Sequence, residues 1–360
     1  MSRTGSDVGS ICARARRRAT LTEPDIERLL AAEGEDRDLL FSTARDLRRE
    51  EFGDRVFLYG FIYFSTHCRN ECVFCFYRAG NRESPRYRKS PEEITDICLG
   101  LAESGVVLLD LTMGEDPKVF AEPGLDSLLG LVSRVRESSG LPIMVSAGLV
   151  PDEVMAGLAG RGAEWYALYQ ETHTPELFSR LRTGQSFAAR AAARSAAGRA
   201  GLLVEDGILT GVGDTAADRA RSIAAMRDAG CQQVRVMTFV PQAGTPLAGA
   251  TSRGDADELR AIAAMRVAMP ERLIPASLDV DGIGGLERRL DAGANVVTSI
   301  VPPTVGLAGV SNAELDIDEG YRTVAGVLPH LDRLGLRSAS PEDYRAWVES
   351  ARQRASATAP

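Results

Sequence analysis

Lysine is nearly absent from this chain of 360 residues. Lys89 and Lys118 are its only lysines and arginine supplies the remaining basic charge, a compositional bias that by itself carries no chemistry. Long apolar runs are also missing: none approaches the roughly 20 residues that a membrane-spanning helix requires. The early arginines Arg14, Arg16, Arg17 and Arg18 precede no apolar segment, so a cytoplasmic location is expected and a signal peptide is not. Basic residues are scattered through a chain of net charge −8, which lacks the concentrated positive face of a nucleic-acid binder. A small molecule is therefore the expected partner, with no nucleic acid and no membrane. Six cysteines in this length are too sparse for a disulfide framework and unsuited to a cytosolic chain.

Hydrophobic residues make up 44% and charged residues 26%, a composition able to bury a full core. The length suits one α/β barrel with short extensions. Residues 1–20 are small, polar and arginine-rich, and read as a disordered tail. Thr22 is placed to cap a helix running through Pro24, Ile26 and Leu29, and a second helix is expected near 36–51. Together these form a helical extension over residues 21–52.

Beyond it, short β-branched apolar runs alternate with helical patterns. The runs fall at 56–62, 106–111, 142–146, 165–169, 207–210, 234–239, 273–278 and 295–300. Amphipathic stretches at 91–104, 125–137, 186–199, 216–228, 255–268 and 284–292 lie between them. Such alternation signals repeated βα units on a parallel sheet, and eight of them predict a (βα)8 TIM barrel over 53–350. Closing helices are expected around 314–335 and 341–355, with a frayed tail over 351–360.

Cys68, Cys72 and Cys75 fall within a C-x-x-x-C-x-x-C segment directly after the first strand. Three thiolates on one tight loop can ligate three irons of a 4Fe-4S cubane and leave the fourth open to a chelating ligand. A zinc site would want a fourth Cys or His at the motif's own spacing, and His67, adjacent to Cys68, is poorly placed to share its metal. Phe74 supplies an aromatic immediately before the last cysteine. Cys12, Cys98 and Cys231 stand alone and read as plain thiols.

This spacing resembles the hallmark of the radical SAM superfamily, which implies that the open iron binds the amino and carboxylate groups of S-adenosylmethionine. One-electron reduction then yields a 5′-deoxyadenosyl radical. Met113-Gly114-Glu115 resembles the superfamily's glycine-glutamate turn at the methionine ammonium. Glu171 and Arg190 resemble the pair that addresses the ribose and the methionine end. An electron donor such as flavodoxin or ferredoxin is implied as partner.

The resemblance narrows to the methylornithine synthase family, the lysine mutases of pyrrolysine biosynthesis. It is carried by 61–66 (FIYFST), 110–117 (DLTMGEDP), 168–172 (LYQET), 184–187 (GQSF), 204–213 (VEDGILTGVG), 235–239 (RVMTF) and 274–279 (IPASLD), within a similarity spanning about 20–345. It implies hydrogen abstraction from lysine, fragmentation to a glycyl radical and an aminobutene, and recombination to 3-methylornithine. The loop Arg78 to Arg86, with Asn81 and Pro85, departs from the family in length and composition.

Asp110 is expected to end the second strand, Arg235 to lie in the sixth, and Ser277 and Asp279 to lie at the end of the seventh, within reach of the C-terminal mouth where barrels place their sites. In the family these positions match substrate contacts. Two carboxylates and one guanidinium are the charge inverse of lysine, and a closed cavity is expected to match its ligand charge by charge. Arg235, helped by Ser277, is assigned to the substrate carboxylate through a forked hydrogen bond. Asp110 and Asp279 are assigned to the ammonium groups, in either order. The rival readings are a mutase of the same family acting on a different amino acid, and a non-catalytic protein using the cysteines structurally.

Overall fold

The computed structural model describes residues 7–251, 254–303, 305–307, 309 and 321–358. Three helices come first: α1 (Val8–Arg16), α2 (Glu23–Leu30) and α3 (Gly34–Phe52). The first half of the barrel follows as β1 (Arg55–Ser65), α4 (Pro91–Ser104), β2 (Leu108–Met113), α5 (Gly124–Ser139), β3 (Ile143–Ser146), α6 (Asp152–Gly160) and β4 (Ala163–Ala167). The second half contains α7 (Pro175–Leu181), α8 (Phe187–Arg199), β5 (Leu203–Thr210), α9 (Ala216–Asp228), β6 (Gln233–Thr238), α10 (Ala256–Ala268), β7 (Pro275–Ser277), α11 (Leu286–Asp291) and β8 (Val296–Ile300). Last come α12 (Val324–Arg333), β9 (Arg337–Ser338) and α13 (Pro341–Thr358).

The chain folds as a parallel (βα)8 barrel in strand order β6-β5-β4-β3-β2-β1-β8-β7. The ring closes through a single parallel bridge, Gln233 to Leu273, where the Val234 N–H donates to Leu273 O at 3.0 Å. All eight expected strands are present, because each apolar run is buried on both faces between core and helices; β1 is buried over its whole length after Arg55. Local signals start the helices. Ser90 and Thr215 form capping boxes with Glu93 and Asp218, and the Thr22–Asp25 box with Pro24 starts α2 as the sequence predicts.

The N-terminal expectation needs correction. Residues 8–16 are helical, and Val8, Ile11, Cys12 and Ala15 are buried along the i, i+3, i+4, i+7 stripe of α1. Asp7 caps this helix by accepting the Ser10 N–H at 2.6 Å, and Arg14 pairs with Asp25 of α2 at 2.5 Å. Four apolar residues among many arginines hid a short stripe inside a polar average. The C-terminal expectation also changes: α13 continues to Thr358, with Ala351 buried. Residues 359–360, and 314–320 of the predicted closing helix, lie outside the described residues.

α13 plugs the N-terminal end of the barrel. Trp347 stacks on Trp165 with centroids 5.8 Å apart, and Tyr344 packs edge-on against Phe57 and Tyr59. The Trp165 indole N–H donates to the Tyr344 hydroxyl at 2.7 Å. With that end filled by aromatics, the site is left to the opposite, C-terminal face.

Ile11 is fully buried under α1. Ile11→Ala is expected to cost about 2–4 kcal/mol in a urea titration, whereas a disordered tail would leave the midpoint unchanged.

Candidate active site

The cysteine loop leaves the end of β1 and returns beside it, through an antiparallel bridge between Ser65 and Arg88. Buried Asp116 ties the loop to the end of β2. It accepts from Ser65 Oγ at 2.6 Å and from Arg88 Nε and Nη2 at 2.6 and 2.9 Å, and these bonds hold its carboxyl below the usual range against the opposing effect of burial. Arg86 lies across the interior of the loop, donating to the carbonyls of Thr66, Tyr77, Arg78 and Asn81. The segment 78–86 is thus pinned. Asn81 Nδ2 reaches Phe76 O at 3.0 Å and Ala243 O at 2.9 Å, and Thr66 Oγ1 donates to Pro85 O.

Cys68, Cys72 and Cys75 are free thiols lining one cavity of about 180 Å³, together with Phe74, Gly114, Glu115, Glu171 and Arg190. Every cysteine, cofactor and aromatic position that the sequence proposes for S-adenosylmethionine therefore faces a single space. Gly114 has no alternative there: a Cβ would stand 2.4 Å from His67 O and 2.8 Å from Cys68 Cβ. Among the described residues no three His, Cys, Asp or Glu side chains converge on one metal ion. A cubane does not require that, since each thiolate takes a different iron. Cys98 and Cys231 sit singly in the core, where burial pushes each thiol up to about 12, in line with plain thiols.

Glu115 is buried and accepts from Arg69 Nε at 3.0 Å and from the Leu149 N–H at 2.9 Å. Arg190 stands 4.0 Å away and donates to Tyr169 O at 2.6 Å. Burial, then the neighbouring Arg182 charge, brings the Arg190 guanidinium down to about 9, so this buried cation is incompletely compensated and favours an anion. Glu171 adopts φ +67° without being glycine. Its N–H donates to Gly207 O at 2.9 Å and its carbonyl accepts the Leu209 N–H at 3.1 Å, so β5 holds the strained backbone in place. Its carboxylate pairs with Arg182, a residue the sequence reading did not single out.

Deeper in the barrel, the four predicted substrate positions are all buried. None of the four lines the cavity of the cysteines, and their hydrogen bonds fall into separate groups in which two further charges take part. Glu205 of β5 accepts from Arg235 Nε at 2.7 Å and from the Tyr169 hydroxyl at 3.2 Å. Arg235 Nη1 donates to Thr298 at 3.1 Å. Asp279 accepts from Arg322 Nη2 at 3.2 Å, and Ser277 Oγ lies 3.4 Å from Ser299 Oγ, which bonds the Tyr63 hydroxyl. The charge count made from sequence is accordingly incomplete: three carboxylates and two guanidiniums are present. With Asp110 ionised the sum is one negative charge, the inverse of lysine. Asp110 Oδ2, Arg235 Nη2 and Arg322 Nη1 are buried and make no hydrogen bond among the described residues, a set calling for both a cation and an anion.

The comparisons with known proteins now bear on these sites. The radical SAM superfamily model matches residues 62–226. The chain is 46% identical over 327 residues to the 3-methylornithine synthase of Methanosarcina barkeri, covering 91% of this chain and 93% of that one. It is 44% identical over 325 residues to the 3-methylornithine synthase of Methanosarcina acetivorans, covering 90% and 92%. The crystal structure of methylornithine synthase (PylB) superposes with a TM-score of 0.89 at 44% identity, covering 94% of this chain and all of that one. The chain belongs to the methylornithine synthase family of radical SAM proteins.

Membership in the methylornithine synthase family implies a 4Fe-4S cluster and S-adenosylmethionine, and the three free thiols around one cavity are the donor set that such a cluster takes. Sequence reasoning missed Glu205, Arg322, Arg182 and Gln185. Glu205 had a signal, since it stands in the 204–213 segment on a strand whose odd positions face inward. Arg182 and Arg322 had none among so many arginines.

Burial, then the Glu205 carboxylate, raises Asp110 to about 7. The folded value lies above the unfolded one, so stability is greatest below the unfolded value and is lost as pH climbs through about 7. The ionised form costs on the order of 4 kcal/mol by pH 8. Asp110→Asn escapes that cost, and its urea midpoint is expected to exceed that of the parent chain at pH 8, with the gap closing toward pH 5. A gap independent of pH would contradict the assignment.

Proposed function

We propose that this chain converts L-lysine to 3-methylornithine by a radical carbon-skeleton rearrangement. The observation that carries this reading is the interior in which Asp110 Oδ2, Arg235 Nη2 and Arg322 Nη1 have no hydrogen-bond partner among the described residues, in a chain so similar to 3-methylornithine synthases.

Cys68, Cys72 and Cys75 would hold three irons of the cluster, which when reduced supplies the electron that splits S-adenosylmethionine into a hydrogen-abstracting radical. With S-adenosylmethionine bound, Glu115 would accept from the methionine ammonium, Arg190 would answer the methionine carboxylate and Glu171 would accept from the ribose. Phe74 and Gly114 shape the approach to the cysteine loop. Arg235 presents its Nη2 edge to the substrate carboxylate, with Ser277 beside it. Asp110 and Asp279 take the two ammonium groups, Asp279 sharing its carboxylate with Arg322. Holding both ends of the substrate keeps the fragments in register until they rejoin.

Lysine binding also has a proton balance. Asp110 is close to half protonated at pH 7, so pairing it with an ammonium releases a proton and favours binding as pH rises through neutrality. Among the described residues no helix is long and apolar enough to cross a membrane. We place the enzyme in the cytoplasm, drawing its electron from a flavodoxin or ferredoxin.

Reconstituted, reduced enzyme given S-adenosylmethionine and isotopically labelled lysine is expected to form labelled 3-methylornithine, followed by mass spectrometry. Cys72→Ala should abolish both this product and 5′-deoxyadenosine; turnover in that variant, or product from a different amino acid only, would sink the reading. Asp279→Asn should raise the KM for lysine by about 10- to 100-fold through loss of a charge-assisted bond, while cleavage of S-adenosylmethionine persists. An unchanged KM removes Asp279 from the site.

A further inference from the structure

The three cysteines do not receive the same hydrogen bonds. Cys68 Sγ accepts the local Asn70 N–H at 3.4 Å. Cys72 is the most deeply buried of the three, and two side chains from the segment joining α7 to α8 reach it. Gln185 Nε2 lies 3.0 Å from Cys72 Sγ and Arg182 Nη1 lies 3.6 Å from it. Arg182 is itself buried and stacks 5.6 Å from the Phe74 ring centroid. Its position is fixed by the Glu171 carboxylate on one side and by Gln185 Oε1 at 3.2 Å on the other. Leu181 O, one residue earlier, accepts the Val73 N–H at 2.9 Å inside the cysteine motif, so loop and donors move as one unit.

We infer that Arg182 and Gln185 are positioning residues that set the electron affinity of the iron ligated by Cys72, with Glu171 as the counter-charge limiting their effect. The inference rests on the radical SAM reading of the cysteine loop. Reduction adds one electron, delivered by an external low-potential donor, and places one further negative charge on the cluster and its three thiolates, with no proton taken up. Donors aimed at a ligating sulfur stabilise the more negative state and raise the reduction potential. A guanidinium does so more strongly than an amide because its charge acts through a dry, poorly screened space. Glu171 offsets part of that charge. One ion pair thereby links a residue at the S-adenosylmethionine end of the cavity to the sulfur of a cluster ligand.

The test is a potentiometric titration of the reconstituted cluster, using dithionite-reduced protein and following the reduced-state signal by electron paramagnetic resonance without substrate. Gln185→Leu, at a partly exposed position, should lower the potential. Arg182→Met should lower it further, and Arg182→Lys should recover part of the difference. Glu171→Gln, which frees Arg182 of its counter-charge, should raise it. A purely structural role predicts no such opposition of sign. Equal potentials in the parent chain and Gln185→Leu, or a shift of Glu171→Gln in the same direction as Arg182→Met, would overturn the inference while leaving the cluster assignment intact. Failure of the parent chain to assemble any cluster would instead remove the radical SAM reading on which it rests.

Discussion

Charge buried without water is the constraint under which this barrel is built. Asp110, Glu205, Arg235, Asp279 and Arg322 are all buried in its interior, and an unpaired charge there would cost several kcal/mol. The fold answers by pairing Arg235 with Glu205 and Arg322 with Asp279, while burial raises Asp110 toward neutrality. The surrounding architecture keeps these pairs dry. Aromatic packing under α13 seals one end, and the strand ring surrounds them on the sides. What is left over, among the described residues, is single polar atoms on otherwise satisfied groups.

The same logic recurs at the mouth. Asp116, Arg88 and Ser65 hold the cysteine loop against the ends of β1 and β2, and Arg86 satisfies four carbonyls that a loop of this shape would otherwise bury unpaired. Asn81 bridges to the loop after β6.

Much of this was legible from the residue order alone. Strands buried on both faces announce themselves as continuous β-branched runs, so all eight could be placed, and the cysteine spacing located the cluster loop. The sequence placed Asp110, Arg235, Ser277 and Asp279 in the barrel interior, where all four are buried, although Asp110 and Arg235 stand within β2 and β6 rather than at their ends. The reading failed where the decisive fact is a partner rather than a residue. Glu205 and Arg322 alter the meaning of Arg235 and Asp279, but only the barrel brings 205 to 235 and 279 to 322. Helix α1 failed for another reason: its four apolar residues suffice only because α3 lies alongside to cover them.

Glu171 shows what such sites ask of a sequence over time. Its backbone conformation is one that glycine or asparagine adopts more easily, so either would relieve local strain there. Neither carries a negative charge to set against Arg182. A substitution chosen for thermal resistance alone would favour the relaxed residue here, at the expense of the charge that faces Arg182.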